Sequence, residues 1–230
     1  MTEILGPIDE RVDFRARLSS FSEKEQTTIM SAYDLAKKAH EGQFRTSGEP
    51  YFEHPRDVAL ILLDELKITD MSTICGALLH DVAEDTTEFG NPKELGYTKY
   101  VEAIYERVSK DFSPETAEIV ISVTEPPVDG IEIFNKHQAK EIKYELLSKA
   151  SPEALLVKMA DRLHNLRTFY PKEGRKTPAE KINETIKILM SKSIFMQEDF
   201  AYPDEQVYMV REMYSEMAKM IRKYPRSFRS

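Results

Sequence analysis

The chain has 230 residues, 41% hydrophobic and 31% charged, a balance that fits a globular protein with a sizeable core. Its 32 basic and 40 acidic residues leave a formal charge of -8, which argues against polyanion binding by bulk electrostatics and hence against nucleic acid as a partner. The longest unbroken apolar run, Val58 to Leu63, is far too short to span a membrane. The single cysteine, Cys75, can form no internal disulfide and reads as a small buried side chain. Residues Met1 to Pro7 are acidic and lack the apolar segment of a secretory signal, so a cytoplasmic location is expected.

In chain order, residues 1–21 have weak periodicity and read as an N-terminal arm or short helix. Ser22 with Glu25 makes a capping box, and Ile29, Tyr33, Ala36 and His40 follow at helical spacing. Gly42 ends that helix, and Arg45 to Pro50 form a loop. Pro55 suits the first turn of a second helix carrying Val58, Ile61, Leu62 and Leu66. Asp70 or Thr69 caps a third, with Ile74, Ala77 and Leu78. Residues 86–97, with two glycines and a proline, read as loop. A fourth helix places Val101, Ile104, Tyr105 and Val108 on one face. Ser113-Pro114, Ser151-Pro152 and Thr177-Pro178 each put a hydroxyl at an N-cap and proline at the first helical position. Another helix spans about 135–150. The last runs from about Asp204 to Arg222, with Val207, Val210, Met213, Tyr214, Met217 and Ile221 as its stripe. That stripe fits either packing onto the domain or a homo-oligomer face. Strand signals are nearly absent, so the fold class is all-α, one helical domain over 22–200 with a C-terminal helix in 201–230.

Chemistry concentrates where the run Ala77-Leu78-Leu79 ends in His80-Asp81-Val82-Ala83-Glu84-Asp85. One imidazole and three carboxylates on a half-buried helix repel and desolvate one another unless a cation compensates them. Glu84 lies one turn from His80 and Asp85 one turn from Asp81, so all four share one broad face. His54 precedes Pro55. Asp161 ends another apolar run, and Asp161, His164, Asn165 and Thr168 make a polar stripe on an otherwise buried helix, which a satisfied hydrogen-bond network would equally explain. Together His54, His80, Asp81 and Asp161 offer two imidazoles and two carboxylates to one ion. That donor set suits manganese, iron, zinc or magnesium.

These residues resemble the H…HD…D signature of the HD phosphohydrolase superfamily. More narrowly, four segments resemble the hydrolase domain of the Rel/Spo alarmone enzymes: Ala39 to Arg45, Ser47 to Pro55, Leu78 to Thr86 and Val157 to Thr168. The resemblance implies an all-helical HD-type fold, a manganese ion, and hydrolysis of ppGpp or pppGpp at the ribose 3′ position to pyrophosphate and GDP or GTP. It implies His54, His80, Asp81 and Asp161 as metal ligands, Glu84 and Asp85 as the catalytic pair, and Arg45, Ser47, Asn165 and Thr168 as substrate contacts. Arg45, Lys158, Arg162, Arg167 and Lys172 are candidates to neutralise phosphates, and Phe169 and Tyr170 to stack on a base. The family usually has lysine after the arginine; Thr46 here removes a charge from the pocket mouth and keeps adenine substrates in play. With the chain ending at Ser230, a hydrolase without a synthetase domain is expected. The competing readings are an HD phosphohydrolase acting on an adenine alarmone, NADPH or a 5′-nucleotide, and a nucleotide sensor without catalysis.

Overall fold

Local capping chemistry starts most of the helices. The Ser22 hydroxyl accepts from the Glu25 N–H, and the Glu25 carboxylate accepts from the Ser22 N–H at 2.9 Å, which opens α2 (Glu23–Ala39). Asp70 accepts from Thr73 N–H at 2.7 Å and opens α4 (Met71–Asp85). Ser113, Asn135 and Ser151 do the same for α7 (Pro114–Val123), α8 (Lys136–Lys149) and α9 (Pro152–Arg167). The other helices are α1 (Glu10–Ala16), α3 (Glu53–Leu60), α5 (Pro92–Leu95), α6 (Tyr97–Asp111) and α10 (Asp204–Lys223). This computed structural model describes residues 10–126, 132, 133, 135–168 and 204–223. The expected start at Thr177-Pro178, and Phe169, Tyr170 and Lys172, lie outside the described residues. So do Lys223 to Ser230 and Ile221 as far as their side chains are concerned.

Among the described residues the fold is all-α, as the sequence predicts; its one extended pairing is an isolated bridge between Phe44 and Pro50. No described helix is long and apolar enough to cross a membrane. The central element is α4, buried from Ser72 to Ala83 and enclosed by α2, α3, α7 and α9. A helix this apolar on all sides has no face to offer to water, so its neighbours must surround it. It approaches α7 closely: a Cβ at Gly76 would lie 2.4 Å from Ile119 Cγ2. Phe14, Leu18 and Phe21 from the N-terminal region enter the same core, as do Val210, Met213 and Met217 of α10.

Three local expectations need correction. The stretch 86–97 contains α5, whose start Asn91-Pro92 repeats the cap-then-proline chemistry of the longer helices; it stays four residues long between Gly90 and Gly96, at φ +108° and +82°. The buried stripe of α6 is Tyr100, Ile104 and Val108, while Tyr105 points outward. Its main long neighbour is α7, so one narrow row suffices. Finally, α3 continues as a π-helical turn, Ile61–Glu65, in which the Leu66 N–H reaches back to the Ile61 carbonyl at 3.1 Å.

Candidate metal centre and cleft

Three helices and one loop build the site. His54 comes from the first turn of α3, His80 and Asp81 from the last two turns of α4, and Asp161 from the middle of α9; all four are buried. His54 Nε2 lies 3.4 Å from Asp81 Oδ2 and 3.2 Å from Asp161 Oδ1, and His80 Nε2 lies 3.1 Å from Asp81 Oδ1. One donor atom from each of His54, His80 and Asp81 falls within a 4.8 Å spread, close enough to hold one metal ion. His80 Nδ1 donates to the Ala77 carbonyl at 2.7 Å, which leaves its Nε2 lone pair facing inward. That Nε2 and Asp81 Oδ2 are buried without a hydrogen-bond partner. Buried polar atoms are rarely orphaned, and a divalent cation at this point would satisfy both. The residues present therefore fit a metal.

The electrostatics agree. Burial disfavours the charged form of His54 and pushes its pKa down, toward the neutral ring a metal requires. Burial acts to raise Asp81 and Asp161, but their neighbours outweigh it: the imidazoles of His80 and His54 hold Asp81 below its ordinary value, and the cations Lys158 and Arg162 hold Asp161 well below. Lys158 reaches Asp161 at 3.0 Å.

The last turn of α4 carries Glu84 and Asp85 into a cleft of about 420 Å³ beside this cluster. Both carboxylates are accessible to solvent inside the cleft, yet its walls crowd them. Desolvation raises both, with the negative charge of Asp81 adding to it. Glu84 accepts from the Glu125 N–H at 3.1 Å, and the Tyr51 hydroxyl donates to Asp85. Tyr51 stacks on His40 with ring centroids 4.7 Å apart. Across the cleft, Lys143 is buried and ion-paired with Glu125 at 2.6 Å.

Arg45 is placed by a tight loop. Its N–H donates to the Glu49 carbonyl at 2.8 Å, and the Gly48 N–H, at φ +98°, donates back to Arg45. The guanidinium then donates to Asn165 Oδ1 at 2.7 Å. Of the residues expected in the site, Arg45, His54, Asp81, Glu84, Asp85, Asp161 and Asn165 line the cleft, and His80 stands behind Asp81. Ser47 and Thr168 do not: Ser47 is exposed on the loop, and the Thr168 hydroxyl donates to the His164 carbonyl at 2.8 Å. Of the candidate phosphate groups, Lys158 and Arg162 line the cleft, whereas Arg167 is bound to Glu65 and Glu216. Tyr51 and Glu125 also line it. Periodicity does not reveal them, because Tyr51 lies in the loop before α3 and Glu125 just past the end of α7, where the chain's direction is set by its neighbours.

The sequence of this chain matches the HD domain family over residues 32–189. The chain belongs to the HD domain family. Its relatives within that family are Rel/Spo proteins. It is 35% identical over 164 residues to a probable GTP pyrophosphokinase of Mycobacterium leprae, covering 70% of this chain. It is 37% identical over 144 residues, 61% of this chain, to the bifunctional (p)ppGpp synthase/hydrolase SpoT of Escherichia coli. Each match spans 18% of the relative's own length. Among solved structures, this HD domain is similar to one described as a metazoan ortholog of SpoT that hydrolyzes ppGpp. The TM-score is 0.53 at 26% identity, covering 82% of this chain and 94% of the other.

Proposed function

We propose that this HD domain hydrolyses guanosine 3′-diphosphate alarmones, ppGpp and pppGpp, to GDP or GTP and pyrophosphate, with Mn²⁺ as its ion. The observation that carries the reading is the pair of orphaned buried atoms, His80 Nε2 and Asp81 Oδ2, beside a His54 ring that faces both Asp81 and Asp161, at the edge of an acidic, Arg- and Lys-lined cleft. The activities for which the E. coli and metazoan relatives are named support the choice of substrate.

A divalent ion held by His54, His80, Asp81 and Asp161 supplies Lewis acidity, polarising a phosphoryl oxygen and making water easier to deprotonate. The chain does the rest. Glu84 and Asp85, with carboxyl pKa values raised by the cleft, are suited to take a proton from the attacking water. Lys158 and Arg162 present positive charge to the diphosphate, and Arg45, steadied by Asn165, stands at the mouth to meet the nucleoside. The water oxygen ends on pyrophosphate and a proton ends on the ribose 3′ oxygen. Thr46 lines the cleft without a charge, which favours testing adenine nucleotides alongside.

The deciding experiment incubates the purified chain and Mn²⁺ with ppGpp, pppGpp, pppApp and NADPH and follows pyrophosphate and phosphate release. Pyrophosphate from the guanine alarmones is expected; none from any alarmone overturns the proposal. Asp81→Ala should abolish both metal binding and turnover, whereas Glu84→Ala should slow turnover by at least about 100-fold while the metal stays bound.

A further inference from the structure

His164 is buried against the candidate metal residues, yet the reaction proposed above gives it no task. It lies one turn beyond Asp161 on α9, its ring centroid 4.8 Å from that of His54. Its Nδ1 is 2.8 Å from His54 Nδ1, and its Nε2 is 3.3 Å from Asp57 Oδ2. Asp57 is in turn bonded by the Arg56 guanidinium, at 3.1 Å from both Nε and a terminal nitrogen.

Two imidazole nitrogens 2.8 Å apart require one proton between them: two lone pairs repel, and two N–H groups collide. Chemistry at the far side of each ring decides which nitrogen carries it. His54 Nε2 faces Asp81 and Asp161, and as a metal ligand it must present a lone pair. The proton of neutral His54 is then on Nδ1, and it donates to His164 Nδ1. With Nδ1 accepting, neutral His164 carries its own proton on Nε2, which donates to the Asp57 carboxylate. Each assignment forces the next.

We propose that Asp57 and His164 are positioning residues for the metal centre: their hydrogen-bond relay fixes His54 in the tautomer and orientation that turn Nε2 toward a divalent cation. The inference rests on the metal-binding reading above. The contrast with His80 sharpens it. His80 is oriented by the carbonyl of Ala77 in its own helix, which no side-chain substitution removes. His54 relies on a side chain 110 positions away in sequence. One terminal nitrogen of Arg45 also approaches His164 Nδ1, at 3.3 Å, while the other donates to Asn165; the His54 contact, at 2.8 Å, is the shorter of the two at His164 Nδ1 and takes its single lone pair.

The test compares the parent chain with His164→Leu, His164→Asn and Asp57→Asn, stripped of metal and titrated with Mn²⁺ at mildly alkaline pH. The electron paramagnetic resonance signal of free Mn²⁺ gives the affinity without reference to turnover. His164→Leu should weaken binding by about 10–100-fold. In His164→Asn the amide oxygen takes roughly the place of Nδ1 and still accepts from His54, so affinity should largely recover; Asp57→Asn should fall between. In protein loaded with diamagnetic Zn²⁺ the bonded His54 Nδ1–H should give a protected downfield imidazole proton in the ¹H NMR spectrum, absent in His164→Leu. A His164→Leu variant that melts like the parent and binds Mn²⁺ equally well overturns the relay. Should that variant fail to fold, Asp57→Asn with unchanged affinity and an unchanged imidazole signal does so instead. A parent chain that binds no Mn²⁺ overturns the metal reading itself, which is a different result from a parent that binds and variants that match it.

Discussion

Glu84 holds its proton to higher pH in the folded chain than in the unfolded one, because desolvation by the cleft walls outweighs the opposing pull of Lys158, with Asp81 adding to the rise. Between the ordinary carboxylate value and the raised one, the folded state therefore binds more protons than the unfolded state, and stability falls as pH rises through that window. Glu84→Gln removes the charge while its amide oxygen still accepts from the Glu125 N–H. In metal-free protein the variant should melt above the parent at neutral pH, with the difference vanishing as pH drops into the carboxylate range; calorimetry across pH checks the sign. A candidate proton acceptor that destabilises its own fold fits a familiar compromise of function with stability. At this scale the sequence was informative where a polar residue interrupted an apolar run. His80, Asp81 and Asp161 announce themselves in that way. Asp57 does not, since an aspartate on the first turns of a helix has an ordinary explanation, and only the approach of α9 shows what it faces.

The contact between α4 and α7 turns on one missing methyl. Adding it with Gly76→Ala places a Cβ 2.4 Å from Ile119 Cγ2, so the Ile119 side chain or one of the two helices must shift. Overpacking of this kind destabilises by about 1–3 kcal/mol. Because His80 lies one turn along α4, the same variant should bind Mn²⁺ less tightly even at temperatures where it is fully folded. Urea titration and metal titration on one sample separate the two effects. Helix starts were legible in the sequence because capping is local: Ser22, Asp70, Ser113 and Ser151 each act within three residues. The π-helical turn after α3 was not, since nothing in Ile61-Leu62-Leu63-Asp64-Glu65 forbids an ordinary helix. The outward Tyr105 was misread for a related reason: periodicity gives a face, but only the neighbours decide how wide a face is buried.

The C-terminal helix closes the molecule against α9 and the π-helical turn. Met217 is fully buried in the common core, and Arg167 at the end of α9 binds both Glu65 and Glu216, one from each side of that junction. Met217→Ala should destabilise by about 2–5 kcal/mol, as for a buried methionine elsewhere. Tyr208→Ala, on the outer side of the same helix at 62% exposure, should change stability by no more than about 0.5 kcal/mol. Chemical denaturation of the pair reads whether the stripe of α10 faces inward in solution. The sequence showed that stripe without showing its partner; an amphipathic pattern records that a surface is covered, not by what.

The donors proposed for the metal centre come from α3, α4 and α9, which meet nowhere in sequence: 27 positions separate His54 from Asp81, and 80 separate Asp81 from Asp161. An ion held among them would act as a removable clasp between three distant parts of the chain. Because the unfolded chain cannot gather those groups, such an ion would bind the folded form alone and stabilise it by about 2.7 kcal/mol at a hundredfold excess over its dissociation constant. Chelation should therefore lower the melting temperature of the parent and leave that of Asp81→Ala unchanged. The supply of metal in the surroundings would then set how long the protein lasts as well as how fast it works.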